Sequence, residues 1–295
     1  MTARRQFIAI LVAAAVVGLI GIYNLATGTP TGGRTGSHTL RYLSGLQATV
    51  LFFGLALLVG VIWPHRRPAW SGVLGGLCVF GILIAQARSV WIGAVLGLGA
   101  AVVSTTTWRR KVARIALVVV AVVLIGGAIL AAGVGRDLSS DLAKRASSLT
   151  EVGTDVTAMW RFFVWSVALH DLKASPLLGL GLGRRFTYYD LVLEKWENQR
   201  QLHNSYLELA YYAGAIGVGL LIAFQFLVFA RTVRAVRQAR GTPRESLLLS
   251  LIASQVCLYV VAATNVVSAS LVATTWGWVL AAVSVLEASA AEEAT

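Results

Sequence analysis

Long uncharged stretches, broken by short basic ones, set the pattern of this chain. Between Arg5 and Arg34 lie 28 uncharged residues, between Arg41 and His65 lie 23, and between Arg67 and Arg88 lie 20. A further 20 separate Arg88 from Arg109, 21 separate Arg114 from Arg136, and 22 separate Glu208 from Arg231. The 41 residues from Glu245 to Glu287 are enough for two crossings with a turn near Asn265–Ser270. A helix needs about 20 apolar residues to cross about 30 Å of hydrocarbon. The pattern therefore predicts an all-α polytopic membrane protein of about eight transmembrane helices. Sustained period-two alternation is absent from these runs, and they are too long for barrel strands.

Composition agrees. Hydrophobic residues make up 57% of the 295 and charged residues 13%, with a mean hydropathy of +0.74. A soluble chain this apolar has no way to build a surface, which excludes an ordinary cytosolic enzyme and a disordered chain. The net charge of +12 would suggest nucleic acid in a soluble protein, but basic residues flanking spans on the cytoplasmic side explain it better, and no nucleic-acid partner is inferred. Cys78 and Cys257 lie in apolar runs and read as packing residues. The four histidines lack metal-ligand spacing, so neither a metal site nor a cofactor is expected.

Charge also orients the chain. Arg4-Arg5, the segment at Arg66-Arg67, Arg109 to Arg114, and Arg231 to Arg244 share one side and hold thirteen of the twenty-five basic residues. That side is expected to be the cytoplasm, with both termini inside and the first apolar run retained as a signal anchor. The organisation expected is one membrane domain, 1–295, with an extracytoplasmic loop at 135–204 between spans five and six. Eight of the thirteen acidic residues fall in that loop. Within it, Thr157 to Lys173 is amphipathic and aromatic-rich, as in a helix lying at the membrane surface. After it comes the run Leu178-Gly179-Leu180-Gly181-Leu182-Gly183. It is glycine-spaced, but with no strand before it and no crossover unit after it a dinucleotide site is not inferred.

Three outward features carry candidate chemistry. Arg88, in Gln86-Ala87-Arg88-Ser89, sits at the turn between two apolar runs. A charge near the membrane marks a functional site by default, the alternative being an arginine that reaches the outer headgroups. Arg161 stands four residues before Trp165, so both project from one helix face; a headgroup anchor is again the alternative. Arg184 and Arg185 are further candidates of the same kind. The third feature is Leu202-His203-Asn204-Ser205-Tyr206-Leu207, where Asn204 or Ser205 fits a helix N-cap and places His203 at the mouth of a span. Glu208, about a turn deeper, needs a partner. It lies well round the helix from His203, so the two do not form a dyad.

Taken in order, Gln86 to Trp91, Arg161 with Trp165, Ser175-Pro176-Leu177-Leu178-Gly179-Leu180-Gly181, and His203 to Leu207 resemble the O-antigen ligase and polymerase superfamily of bacterial membrane glycosyltransferases. The likeness extends from about Arg41 to the C-terminus. It implies a GT-C-like helical fold in the inner (cytoplasmic) membrane. It also implies transfer of a glycan from a polyprenyl-pyrophosphate carrier to an acceptor hydroxyl, in ligation or polymerisation of surface polysaccharide. The acceptor is a lipid, a polysaccharide or a protein, and membrane lipids surround the whole. The reaction would be metal-independent and inverting. By this resemblance Arg88 and Arg161 hold the pyrophosphate and His203 lies near the acceptor hydroxyl, where it is the expected catalytic base; Arg184, Arg185, Asn204 and Glu208 are additional candidates by their positions alone. Two departures stand out. The chain starts about four spans later than the family's usual ten to twelve, and Ala87 stands where the family commonly has serine.

The residue types suit that chemistry. A pyrophosphate leaves readily without a general acid, provided positive charge meets the negative charge that grows on it. Arginine stays ionised and binds phosphate with a planar fork. The rival readings are a transporter or flippase of a lipid-linked glycan and an inactive truncated relative. Against the first, the spans hold few charges and the polar residues cluster outside them.

Overall fold

The computed structural model describes residues 3–29, 42–62, 69–104, 156–190, 194–199, 201–265, 281–287 and 289. The expected fifth span, most of the expected eighth and the loop's first part, 135–155, lie outside the described residues. The chain falls into two compact units. One is Met1–Ser147 with Val228–Val261 and Thr275–Thr295; the other is Ser148–Leu227 with Ala262–Thr274.

In the first unit α1 (Ala3–Thr27), α2 (Gly45–Leu57) and α3 (Ala69–Ile84) pack together, and α2 also meets α4 (Arg88–Ser104). Helix α2 starts with a capping box. Ser44 Oγ accepts from the Gln47 amide at 3.2 Å, and Gln47 Oε1 accepts from the Ser44 amide at 2.8 Å. Two of the four amides that a helix start leaves unmet are thereby satisfied reciprocally. Residues Ala48 to Leu57 are all buried, so α2 lies at the centre of its unit. It runs into a π-helical turn, Leu58–Ile62, beside which Ser250 Oγ donates to the Ala56 carbonyl at 2.8 Å.

Small residues let helices approach. A methyl group on Gly97 of α4 would run into the backbone of Ala253 in α7 (Pro243–Ala262), and one on Gly93 would press tightly against Cys257. This small-xxx-small spacing is common between membrane helices, where packing must replace the hydrophobic drive. Cys78 and Cys257 are buried free thiols, in keeping with their reading as packing residues. Pro243 opens α7, and Glu245 Oε2 accepts from the Gly241 amide at 2.8 Å, so this acid closes the helix start.

The second unit is built from α5 (Val156–Leu172), a hairpin of β1 (Phe186–Asp190) and β2 (Lys195–Gln199), and the first part of α6 (Ser205–Gln238). Val164, Ala168, Phe186, Tyr188, Leu202 and Tyr211 form its core. The structure is mostly helical, as expected, and among the described residues this hairpin is the one departure from all-α. Phe186 and Tyr188 point inward while Thr187 and Tyr189 are exposed, an alternation too short to register in a reading of membrane-length runs. A helix is present as α5 where the sequence from Thr157 to Lys173 predicts one.

The span expected between Glu208 and Arg231 is not one straight helix. At Gly214 the backbone turns to φ 66°, ψ −167°, and Tyr206 Oη donates to Gln225 Oε1 at 3.1 Å. In a straight helix those residues would stand roughly 28 Å apart along the axis. Residues 205–213 therefore fold back along the arm that begins at 215. The glycine-spaced run Pro176–Gly181 docks into the break. The Leu180 amide donates to the Tyr211 carbonyl at 2.8 Å and the Gly181 amide to that of Tyr212 at 3.1 Å. The Ala215 and Ile216 amides donate to the Pro176 and Leu177 carbonyls at 2.9 and 3.3 Å. Two helical hydrogen bonds, from 215 to 211 and from 216 to 212, are thus exchanged for four. A side chain on Gly214 would strike the Leu177 backbone, and one on Gly179 would strike Tyr212, Ala213 and Gly214.

Four described helical stretches are long and apolar enough to cross a membrane: Ile8–Thr27, Gly45–Ile62, Ser205–Gln238 and Arg244–Ala262. Helices α3 and α4 are apolar but shorter. The protein is a membrane protein by these features.

Gly214→Ala is expected to unseat the docked strap, because the residue needs both the left-handed backbone and the missing Cβ. At φ 66° and ψ −167° the backbone lies where essentially only glycine goes, which costs another residue about 1–3 kcal/mol, and the collision adds to it. The check is the melting temperature of the detergent-solubilised protein, which should fall; an unchanged value would show the strap is dispensable.

Candidate functional site

Arg88 is half-buried and opens α4, directly after a tight turn from α3. The turn is closed by its own backbone and by an indole. The Ala85 amide donates to the Gly81 carbonyl at 3.1 Å, the Gln86 amide to Leu83 at 3.1 Å, and Trp91 Nε1 to Ile82 at 3.2 Å. These bonds satisfy three of the last carbonyls of α3. Val90 and Trp91 amides both return to the Ala87 carbonyl, at 2.9 and 3.2 Å, which starts α4. Within the turn Gln86 adopts φ 49° and is buried. Among the described residues neither atom of its carboxamide has a hydrogen-bond partner. Unmet groups of this kind cost about 1–3 kcal/mol each.

The other candidates lie in the second unit. His203 is half-buried and also left-handed, at φ 52°. The peptides around it are fixed on all sides. The Leu202 amide donates to Glu208 Oε2 at 3.2 Å, and the Leu202 carbonyl accepts from Trp165 Nε1 at 2.7 Å. Asn204 is the N-cap of α6: its Oδ1 accepts from the Tyr206 and Leu207 amides, both at 3.1 Å. Ser205 Oγ donates to the Asn265 carbonyl at 2.8 Å. The imidazole itself meets Trp160 edge-on, with ring centroids 5.5 Å apart, and Trp160 Nε1 in turn donates to Tyr188 Oη at 3.2 Å.

Arg161 is half-buried on α5, between Trp160, which touches the His203 ring, and Trp165, which holds the Leu202 carbonyl. One helix thus carries Arg161 and both indoles that position the His203 loop. Glu208 is buried at 5% exposure, and its carboxylate serves the loop backbone ahead of His203. Arg184 and Arg185 are exposed. Arg184 faces the Tyr211 hydroxyl, which also hydrogen-bonds Asp171 Oδ2 at 3.4 Å. Arg88 belongs to the first unit and Arg161, Arg184, Arg185, His203, Asn204 and Glu208 to the second. Among the described residues no three His, Cys, Asp or Glu side chains group as they would around a metal ion.

Residues 73–222, just over half of the chain, match the family model described as O-antigen ligase. The chain belongs to the O-antigen ligase family. No curated protein matches it. The matched stretch runs from α3 into α6 and takes in Arg88, Arg161 and His203. Membership of the O-antigen ligase family suggests a glycosyltransferase of the ligase type, with lipid-linked polysaccharide substrates in the membrane.

Sequence reasoning missed one positioning group, Trp160, and the partner of another, Glu208. Trp160 carries no signal beyond its place beside Arg161, since Phe162, Phe163 and Trp165 crowd the same stretch of α5. Glu208 reads in the sequence as an acid in need of a partner, but a backbone amide six residues earlier is invisible without the turn that brings it round.

Removing the Glu208 carboxylate should loosen the loop before His203. A hydrogen bond to a charged acceptor contributes about 1.5–3 kcal/mol, so Glu208→Ala is expected to speed hydrogen exchange of the Leu202 amide at least tenfold. Mass-spectrometric exchange on the peptide spanning 200–210 reads this directly; protection equal to wild type would place the amide's partner elsewhere.

Proposed function

We propose that this protein transfers a glycan from a polyprenyl-pyrophosphate carrier to an acceptor hydroxyl at the extracytoplasmic face of the inner membrane. Arg88 and Arg161 bind the pyrophosphate, and His203 is the base. The acceptor oxygen attacks the anomeric carbon from the face opposite the pyrophosphate, with inversion. As the new C–O bond forms, the bond to the pyrophosphate oxygen breaks and its electron pair leaves with the diphosphate. His203 takes the acceptor proton. An imidazole accepts a proton near neutral pH, and guanidinium groups meet the charge that grows on the leaving group.

The observation that supports this reading best is the fixed geometry of His203. Its left-handed backbone is held by an N-cap on one side and by the Glu208 and Trp165 hydrogen bonds on the other. Strained, over-determined backbone of this kind clusters at functional sites. Trp160 and Trp165 bring the helix that carries Arg161 against the same loop.

With lipid-linked donor and a hydroxyl acceptor in proteoliposomes, His203→Ala is expected to lower the transfer rate by about 10²–10⁴-fold, the usual contribution of a general base. Arg88→Lys and Arg161→Lys should each weaken donor use, because an ammonium cannot replace a bidentate fork. Full transferase activity of His203→Ala would refute the base assignment, and movement of donor across the bilayer without transfer would favour the flippase reading.

A further inference from the structure

The α3–α4 turn holds a residue to which the roles of Arg88, Arg161 and His203 give no part. Gln86 is 1% exposed, and among the described residues neither end of its carboxamide is hydrogen-bonded. Its backbone is left-handed at φ 49°, which glycine adopts freely and glutamine does not. An apolar side chain would remove the unmet groups. Glutamine is therefore a destabilising choice for the fold alone, and buried polar groups left unmet ask for an explanation. Two residues on, α4 begins with Arg88, and Ala87 ahead of it brings no side-chain acceptor to the helix start. A helix N-terminus attracts anions, and here it adds to a guanidinium.

We propose that Gln86 is a donor-binding residue. Its amide nitrogen donates to a phosphate oxygen of the pyrophosphate that Arg88 holds, and its oxygen accepts from a hydroxyl of the attached sugar. A carboxamide suits this junction because it offers two N–H donors to phosphate, which only accepts, and an acceptor to a hydroxyl, which can donate. The proposal rests on the reading of Arg88 as a pyrophosphate residue.

The test uses the full chain in phosphatidylcholine nanodiscs, titrated with polyprenyl pyrophosphate lacking a glycan, beside the melting temperature of the ligand-free protein. Gln86→Leu is expected to bind about ten- to a hundredfold more weakly, the loss of a hydrogen bond to a charged group. Its melting temperature should equal or exceed that of wild type, because an unmet amide has gone. Gln86→Met, closer in shape, should repeat both results, and Gln86→Glu should bind more weakly still by repulsion. A structural role predicts the opposite pairing, a lower melting temperature with unchanged affinity in both the Leu and Met variants, and would overturn the proposal. Loss in the Leu variant confined to discs containing phosphatidylglycerol would assign the amide to a lipid headgroup and also overturn it. If Gln86→Leu binds as wild type while Arg88→Ala has lost the ligand, the Gln86 assignment alone falls. If wild type does not bind the pyrophosphate, the reading of Arg88 falls with it.

Discussion

The exchange of hydrogen bonds at Gly214 is the constraint on which the second unit depends. A chain this apolar has little water to offer its backbone, so every amide and carbonyl freed by a helix break needs a partner from the chain itself. At the break the Tyr211 and Tyr212 carbonyls and the Ala215 and Ile216 amides are all met by the Pro176–Gly181 strap. Glycines at 179 and 214 allow the two backbones to touch. Because the break is satisfied, residues 205–213 can fold back, and the Tyr206–Gln225 hydrogen bond ties the two arms together. The His203 loop stands at the start of the first arm, so its position depends on the strap.

The two candidate turns share a design within separate units. Each places a left-handed, non-glycine residue just ahead of a helix start: Gln86 before α4 and His203 before α6. In both cases an indole N–H takes a backbone carbonyl just before the left-handed residue, Trp91 for Ile82 near the end of α3 and Trp165 for Leu202. Tryptophan suits this duty, since it buries a large apolar ring while its one donor fixes the backbone. The two turns differ in the next residue along the chain. Asn204 caps its helix with a side chain, whereas Ala87 does not.

Membrane helices gain little from burying apolar surface against one another, so the first unit relies on close approach and on paired polar groups. Gly93 and Gly97 seat α4 on α7. Gln255 donates to Thr232 Oγ1 at 3.2 Å and Ser284 Oγ at 2.6 Å, all three residues buried. Such bonds have few competitors in an apolar surround, which makes them specific as well as stabilising.

Sequence periodicity and charge spacing determined where the described helices lie, that the chain is a membrane protein, and that residues near Arg88, Arg161 and His203 form an ordered set of family motifs. These are local properties: an uncharged run of about 20 residues and a short motif need no knowledge of the fold. A cap at Asn204 or Ser205 was legible for the same reason, and the structure assigns it to Asn204. The hairpin was not, since five alternating residues carry too little signal, nor was the fold-back at Gly214, since a glycine in an apolar run is ordinarily silent. The glycine-spaced segment was visible as a motif, but its partners lie more than thirty residues away on α6. Which groups fix the histidine loop, and that Gln86 is shut away without a partner among the described residues, depended on side chains meeting from distant stretches. Only tertiary structure decides those meetings, because burial and hydrogen bonding are properties of surroundings that the linear order of residues does not contain.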